Sequence, residues 1–480
     1  MGIEWDKENA IPDGFLNGKD KLKTLVLSNN IVEIGASAFS GCKSLTGFRF
    51  PNKLKSIGDY AFNNCTELTQ ATLPDAVEKV AAGAFMYCAK LKSISLGEKL
   101  SELADDAFGE CPSLATIKVS DANESFVAPK NVLYTKGFNT LLLYPAAKSD
   151  TEYTLNNNTK IIAPLAFKDA NALTKIVVST NIEEIGTSAF ANTSSVETLF
   201  IANATKIGQS CFAGMTALKN IYVSGDNPAK VTDTDPFSGG WLTPSVDKTQ
   251  ITLHVPDLFV DSYKNAALWK DMIVTSLTIS NDKTVANVTA GNLASAIGPD
   301  LFYVEKLTVS GTLNGDDLQL LANMAGLKTL NISACTIVKG GQYSGKEWVK
   351  DGTIPDYWME NNQTIAEVLL PDVLESIGQQ AFGDCTALSN VVIGKETKKI
   401  NTGAFIRSGL KSIIIPDCVT SLGWTSAFSE CKQLEKLHLG KGVASLGMHT
   451  FFGCTALKEI TVSADNADFI AENNVLFSAE

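Results

Sequence analysis

The sequence predicts a solenoid, a curved parallel β-sheet of stacked repeats about 23 residues long, with mostly irregular or 3-10 return segments and helical caps. Three observations predict it. Cys42, Cys65, Cys88 and Cys111 are each 23 residues apart, Cys431 and Cys454 repeat that spacing, and Cys385 precedes Cys431 by 46, twice 23. A phenylalanine stands three residues before each of these cysteines: Phe39, Phe62, Phe85, Phe108, Phe382, Phe428 and Phe451. Each unit also opens with the period-two alternation of a strand that buries one face. One such unit cannot cover its own apolar side, whereas stacked copies can.

The unit reads in full from Leu45 to Leu68. Leu45, Phe48 and Phe50 belong to the strand, and Pro51 ends it, as Pro74 does one repeat later, because proline cannot donate to a ladder. Leu54, Ile57 and Gly58 begin the return path, and Ala61, Phe62 and Cys65 follow. Stacked at the ~4.8 Å strand spacing, the phenylalanines form a continuous internal spine. The residue before each is small (Ala38, Ala61, Ala84, Ala107), as a crowded return path requires. The glycine after the isoleucine is replaced by Ala81, Ala104, Ala163 and Asn401, so a positive φ is not required there in every repeat. Thiols stacked this way have parallel Cβ vectors, which argues against disulfides. Ala170, Thr193, Met215 and Ser408 take the same slot, which argues against a metal or redox site. All ten cysteines are expected as reduced, mostly buried thiols.

This pattern resembles the BspA-type (treponemal-type) leucine-rich repeat, over residues 11–223 and 354–462. The resemblance implies a leucine-rich-repeat solenoid, and surface proteins of host-associated bacteria that bind extracellular partners. It implies no catalytic residues.

Breaks in the period mark the organisation. Phe108 to Phe167 is 59 residues, 36 more than one repeat, and the excess reads as a β-hairpin of Asn131–Thr135 and Thr140–Tyr144 around Lys136–Asn139. A polar stretch, Ser224–Gln250, then precedes a helix expected over Leu258–Lys270, and together these read as a C-terminal cap. In 276–353, Leu307 and Leu330 are again 23 apart, and the segment between them, Asp316–Ala325, has helical spacing. Glu4–Lys7, Phe39 and Asn131–Tyr134 recur as Glu347–Lys350, Phe382 and Asn474–Phe477, each at an offset of 343. The expected division is a first module, 1–275, with its hairpin near 120–160 and cap near 224–275; a helical-type subdomain, 276–353; and a second, truncated module, 354–480. On the same duplication the chain is expected to be an excised fragment whose secretion signal lies upstream.

Composition narrows the chemistry. The formal net charge is −12, which opposes nucleic acid and anionic membranes. No apolar run approaches the ~18 residues of a membrane span, so no membrane insertion is expected. His254, His438 and His449 are the only histidines and lack zinc spacing. Gly340–Lys346 has P-loop spacing, but Glu347 stands where Ser or Thr would hold magnesium. Gly35–Phe39 and Gly186–Phe190 look like nucleophile elbows but end in Phe rather than Gly. Asp226, Asp233 and Asp235 lack EF-hand spacing. No catalytic residue, cofactor or metal is expected.

The strand residues between two inward positions should point outward: Val26, Arg49, Thr72, Ser95, Lys118, Val177, Phe200 and Tyr222 in the first module, and Leu369, Val392, Ile414, His438 and Thr461 in the second. Apolar members of such a row suggest a binding face. Val177, Phe200, Tyr222, Leu369, Val392, Ile414 and His438 are therefore the candidate site residues, with Phe200 and Tyr222 as aromatic anchors unless Ser224–Gln250 folds over them. The expected function is non-catalytic binding or adhesion, at the cell surface or secreted, to an extracellular protein or glycan. The alternatives are a structural stalk and, last, a hydrolase.

Overall fold

The computed structural model describes residues 9–479 except 157, 179–181, 202–205, 224–227, 229, 232–234, 240–243, 278–279, 325 and 344–346. It is a parallel-sheet β-solenoid of about 18 turns, about 23 residues apart, with little helix. The chain forms two compact units, Met1–Thr278 and Ile279–Glu480.

Each regular turn contributes a strand of up to four residues, such as Ser93–Leu96, which pairs in parallel with Gln70–Thr72 and Thr116–Val119 at an offset of 23. The return path adds a second, two-residue strand, which the irregular apolar spacing does not reveal. Glu33–Ile34, Ser56–Ile57, Lys79–Val80 and Glu102–Leu103 form a parallel sheet of their own. After that strand the chain does not close into a helix, because alternate amides reach forward to the next turn. Tyr60, Phe62 and Asn64 donate to the carbonyls of Ala82, Ala84 and Met86 at 2.8, 2.7 and 2.8 Å.

This geometry relocates the positive-φ positions. They lie two residues before and two after the phenylalanine in most turns: Tyr60 (55°) and Asn64 (57°) flank Phe62, and Gln380 (49°) and Asp384 (58°) flank Phe382, while at Phe108 only Glu110 (56°) is left-handed. Gly58 has an ordinary φ; a Cβ there would stand 2.7 Å from the Ala36 nitrogen, so the slot favours glycine for close backbone approach.

The phenylalanines stack as a spine. Phe62 and Phe85 lie 5.2 Å apart at 2°, and Phe382 and Phe405 lie 5.2 Å apart at 0°. The hairpin is Leu133–Thr135 against Thr140–Leu143, antiparallel. Its second strand is already back in the stack: Thr140–Leu143 pairs in parallel with Ile161–Ile162. Tyr144 then takes the phenylalanine slot, 5.1 Å from Phe167. Asn123 launches the hairpin. It is buried, donates to the Gly97 and Leu100 carbonyls at 2.8 and 3.0 Å, and accepts from the Ser125 and Phe126 amides at 2.9 and 2.8 Å. Asn466, 343 residues on, makes the equivalent four bonds, to Gly440 and Val443 and from Asp468 and Phe469.

Beyond the regular turns of the first unit, Thr252–Pro256 and Ile273–Leu277 extend the long-strand sheet in parallel. The helix expected over Leu258–Lys270 is shorter: a 3-10 turn, Asp257–Phe259, leads into Val260–Lys264, and the Asn265 side chain then donates to the Asp261 carbonyl at 2.8 Å, which caps the turn. Tyr263 and Trp269 are nonetheless buried.

In the second unit, Asp282–Val288, Lys306–Leu313, Thr329–Ile337, Glu367–Leu369 and Asn390–Val392 form one continuous parallel sheet. The helix is Gly315–Ala322, opened by a capping box of Asn314 and Asp317. Asp317 is buried and accepts from the amides of Gly291, Leu293 and Asn314 at 2.6, 3.0 and 3.0 Å. The segment with P-loop spacing is a hairpin, Gly340–Tyr343 against Glu347–Val349. A Cβ at Gly341 would lie 2.5 Å from the Asp316 nitrogen, so protein backbone already occupies the space at this helix start.

Candidate binding faces

The outward positions divide into a closed row and an open one. In the first unit Val177, Phe200, Tyr222, His254 and Thr275 stand opposite one another on successive strands. Of the two outcomes the sequence leaves open for this row, exposed or covered, Val177 and Phe200 take the covered one, with exposures of 3% and 4%, so neither offers a free binding surface. Phe200 lies against Tyr222, ring centroids 4.7 Å apart at 10°, and the Lys175 ammonium stands 5.4 Å from its ring. Tyr222 is half-buried, with its other face against His254 at 4.2 Å and 8°. Much of Ser224–Gln250, the segment suspected of covering these rings, lies outside the described residues.

His254 is the member that the 23-residue lattice missed, since it lies 32 residues after Tyr222; its one signal is the alternation Leu253-His254-Val255. Its Nε2 lies 3.0 Å from Asn220 Oδ1 and its Nδ1 lies 3.3 Å from Thr275 Oγ1. Burial holds its pKa below the ordinary value and pushes that of Tyr222 up. The result is a ladder of rings whose faces are spent on one another.

The second unit keeps its row open. Leu369 pairs with Val392, and Ile414 with His438 and then Thr461. Val392 is 49% exposed and Ile414 66%, while Leu369 and His438 are half-buried. His438 Nδ1 lies 2.9 Å from Thr461 Oγ1. Aliphatic residues thus face solvent on successive turns, at Val392 and at Ile414, the latter opposite His438.

The reactive-looking motifs have ordinary explanations. Ser37 (φ 52°) and Ser188 (φ 54°) occupy the same left-handed turn slot as Tyr60 and Gln380, so their backbone is that of the repeat and not of a nucleophile elbow. The cysteine row is a hydrogen-bonded ladder. Cys65, Cys88, Cys111 and Cys385 donate to the carbonyls of Phe39, Phe62, Phe85 and Met359, each 26 residues back, at 3.0–3.3 Å. Burial pushes the Cys65, Cys111 and Cys385 thiols up to about 12. All ten cysteines are free; eight are buried, Cys454 is intermediate and Cys418 is exposed. Among the described residues no three His, Cys, Asp or Glu side chains are grouped to hold a metal ion. Asp226 and Asp233 lie outside the described residues, and Asp235 pairs with Lys248 at 3.0 Å. Among the described residues no helix is long and apolar enough to cross a membrane.

Comparison with known proteins accords with this architecture. The family model for the BspA type leucine-rich repeat region matches in six copies, over residues 9–131, 146–240 and 352–477. No curated protein matches the chain. Similar solved structures include a leucine-rich repeat protein from Bacteroides ovatus, with 19% identity, 90% of this chain and 83% of that one covered, and a TM-score of 0.35. One from Eubacterium ventriosum has 17% identity, coverage of 94% and 88%, and a TM-score of 0.36. The pneumococcal vaccine antigen PcpA has 21% identity, coverage of 52% and 78%, and a TM-score of 0.36.

Proposed function

The chain belongs to the BspA-type leucine-rich repeat family, and from that premise we propose that it is a non-catalytic binding protein, displayed at the cell surface or secreted, that captures an extracellular protein partner through the outward side of its long strands. The observation that carries this reading is the pair of exposed aliphatic residues at outward strand positions of successive turns, Val392 at 49% and Ile414 at 66%. Flat aliphatic surface suits a protein ridge. Both faces of Tyr222 are occupied, so a sugar has no free ring there on which to stack, and this favours a protein over a glycan. The net charge of −12 favours a neutral or basic partner.

The test is capture on a panel of immobilised host extracellular-matrix proteins run beside a glycan array. The chain is expected to bind a matrix protein, and the double variant Val392→Ser, Ile414→Ser to lose that capture while its thermal transition stays nearly unchanged. Capture confined to glycans, or capture untouched by the double variant, overturns the reading; the second result is what a stalk would give.

A further inference from the structure

A concavity of the first unit opens on the side of the two-residue strands, not on the long-strand side. Its volume is about 950 Å³, and its walls include Asp59, Glu102, Asp105, Phe126, Thr187 and Lys206. It lies where the hairpin interrupts the regular stack, so turns from before and after the interruption both line it.

One wall residue is left over by that interruption. An aspartate after the two-residue strand has a fixed task in this fold: it accepts the backbone amide 23 residues ahead. Asp13 Oδ1 accepts from Ala36 N at 2.7 Å, Asp59 Oδ1 from Ala82 N at 3.1 Å, and Asp356 Oδ1 from Gln379 N at 2.6 Å. Asp105 occupies that slot, two repeats after Asp59. The residue 23 ahead of it is Ala128, where the regular turn has given way to the hairpin segment. Asp105 has neither an ion pair nor a side-chain hydrogen bond to any described residue. Asp105 is exposed at the cleft wall, and desolvation by the groups around it, with the neighbouring Asp106, pushes its pKa up.

The remaining charges of the cleft are already matched. Lys79 pairs with Glu102 at 2.8 Å and Lys206 with Glu184 at 3.5 Å. Both lysines in the lining are thereby engaged, and the uncompensated charge belongs to Asp105 and to Asp59. A ligand that completes the cleft brings a cation with donor hydrogens.

We propose that this cleft is a second binding site, which receives a basic segment of a protein partner, with Asp105 as the anion for an inserted arginine or lysine. The site is independent of the aliphatic row on the second unit.

The probe is a fluorescein-labelled peptide of alternating glycine and arginine, read by fluorescence anisotropy on the full chain at low and moderate salt, beside a glycine–glutamate peptide. The expected result is saturable binding of the arginine peptide alone. Asp105→Asn is expected to weaken it about tenfold, as loss of a charged hydrogen-bond partner does, while Asp465→Asn, an equal change of net charge on an exposed position of the second unit, leaves it unchanged. Because the Asp105 side chain bonds to no described residue, Asp105→Asn is also expected to keep the wild-type thermal transition. Absence of saturable binding, equal weakening by both variants, or a lowered transition for Asp105→Asn overturns the proposal. The Val392→Ser, Ile414→Ser double variant should bind the peptide as the wild type does, so a failure of the strand-face reading and a failure of this one are separable.

Discussion

The Cys88 thiol donates a hydrogen bond to the carbonyl of Phe62, 3.3 Å away on the preceding turn. Cysteine here is therefore more than a small apolar filler: it gives a second donor to a carbonyl that also accepts from the Cys65 amide at 3.2 Å. Ser408, which stands in the same slot, lies 3.4 Å from Cys431 Sγ, so a hydroxyl also fits. Cys88→Ala should cost about 1–3 kcal/mol, combining a small cavity with the loss of one of the two hydrogen bonds to the Phe62 carbonyl, and Cys88→Ser should cost less. Denaturant midpoints of the two variants check this; equal losses would mean that the S–H bond contributes nothing.

Thiol reactivity should follow burial. With Cys65, Cys111 and Cys385 pushed up to about 12, little thiolate exists at neutral pH. Alkylation of the native chain should label Cys418 first and Cys454 more slowly. All ten should react after denaturation without reductant, and intact mass reports the count. A shortfall before reduction would reveal disulfides.

Removal of the Asn123 side chain should be among the most damaging single changes. Two carbonyls and two amides lose their partner in a buried site, so Asn123→Ala should cost about 3–4 kcal/mol, and Asn123→Asp should not rescue it, because a carboxylate cannot donate to Gly97 and Leu100. Thermal melts of both variants test this. An unchanged transition in either would show that the hairpin does not depend on these bonds.

Thr397 offers the opposite case. It is fully buried, and its hydroxyl has no hydrogen-bond partner among the described residues. The neighbouring turns place Leu374 and Val419 in its slot. Thr397→Val keeps the shape and removes the unmet hydroxyl, so it should stabilise by about 1 kcal/mol. A lowered melting temperature would indicate a hidden partner.

The His254 ring should make stability depend on pH. Its folded pKa lies below the ordinary 6.5, so as pH falls below that value the unfolded chain takes up a proton that the folded chain resists. Its contribution is present above pH 6.5 and is lost as pH falls toward the folded pKa. The melting temperature should therefore drop more between pH 7 and pH 5 for the wild type than for His254→Gln, and parallel pH profiles would contradict the ladder's role.

The period, the internal phenylalanines and the buried thiols were legible in the residues alone, because a stack requires a similar side chain at the same place every 23 residues. The register of the long strands and the hairpin after Asn131 follow from the same rule. Other features leave little or no periodic trace. Tyr144 stands 36 residues after Phe108, so counting forward passes over it although it is 23 before Phe167, and its aromatic type differs from the row; His254 joins the outward row at a spacing of 32, which counting misses in both directions. The left-handed corners accept Ser, Tyr, Gln and His alike, since backbone bonds to the next turn hold them and side-chain type does not mark them. Val177 and Phe200 have the alternation of exposed residues, yet they are covered, while Val392 and Ile414, with the same alternation, are not. Alternation determines which side of a strand a residue takes; what lies over that side depends on segments distant in the chain, and only the packed fold brings those together.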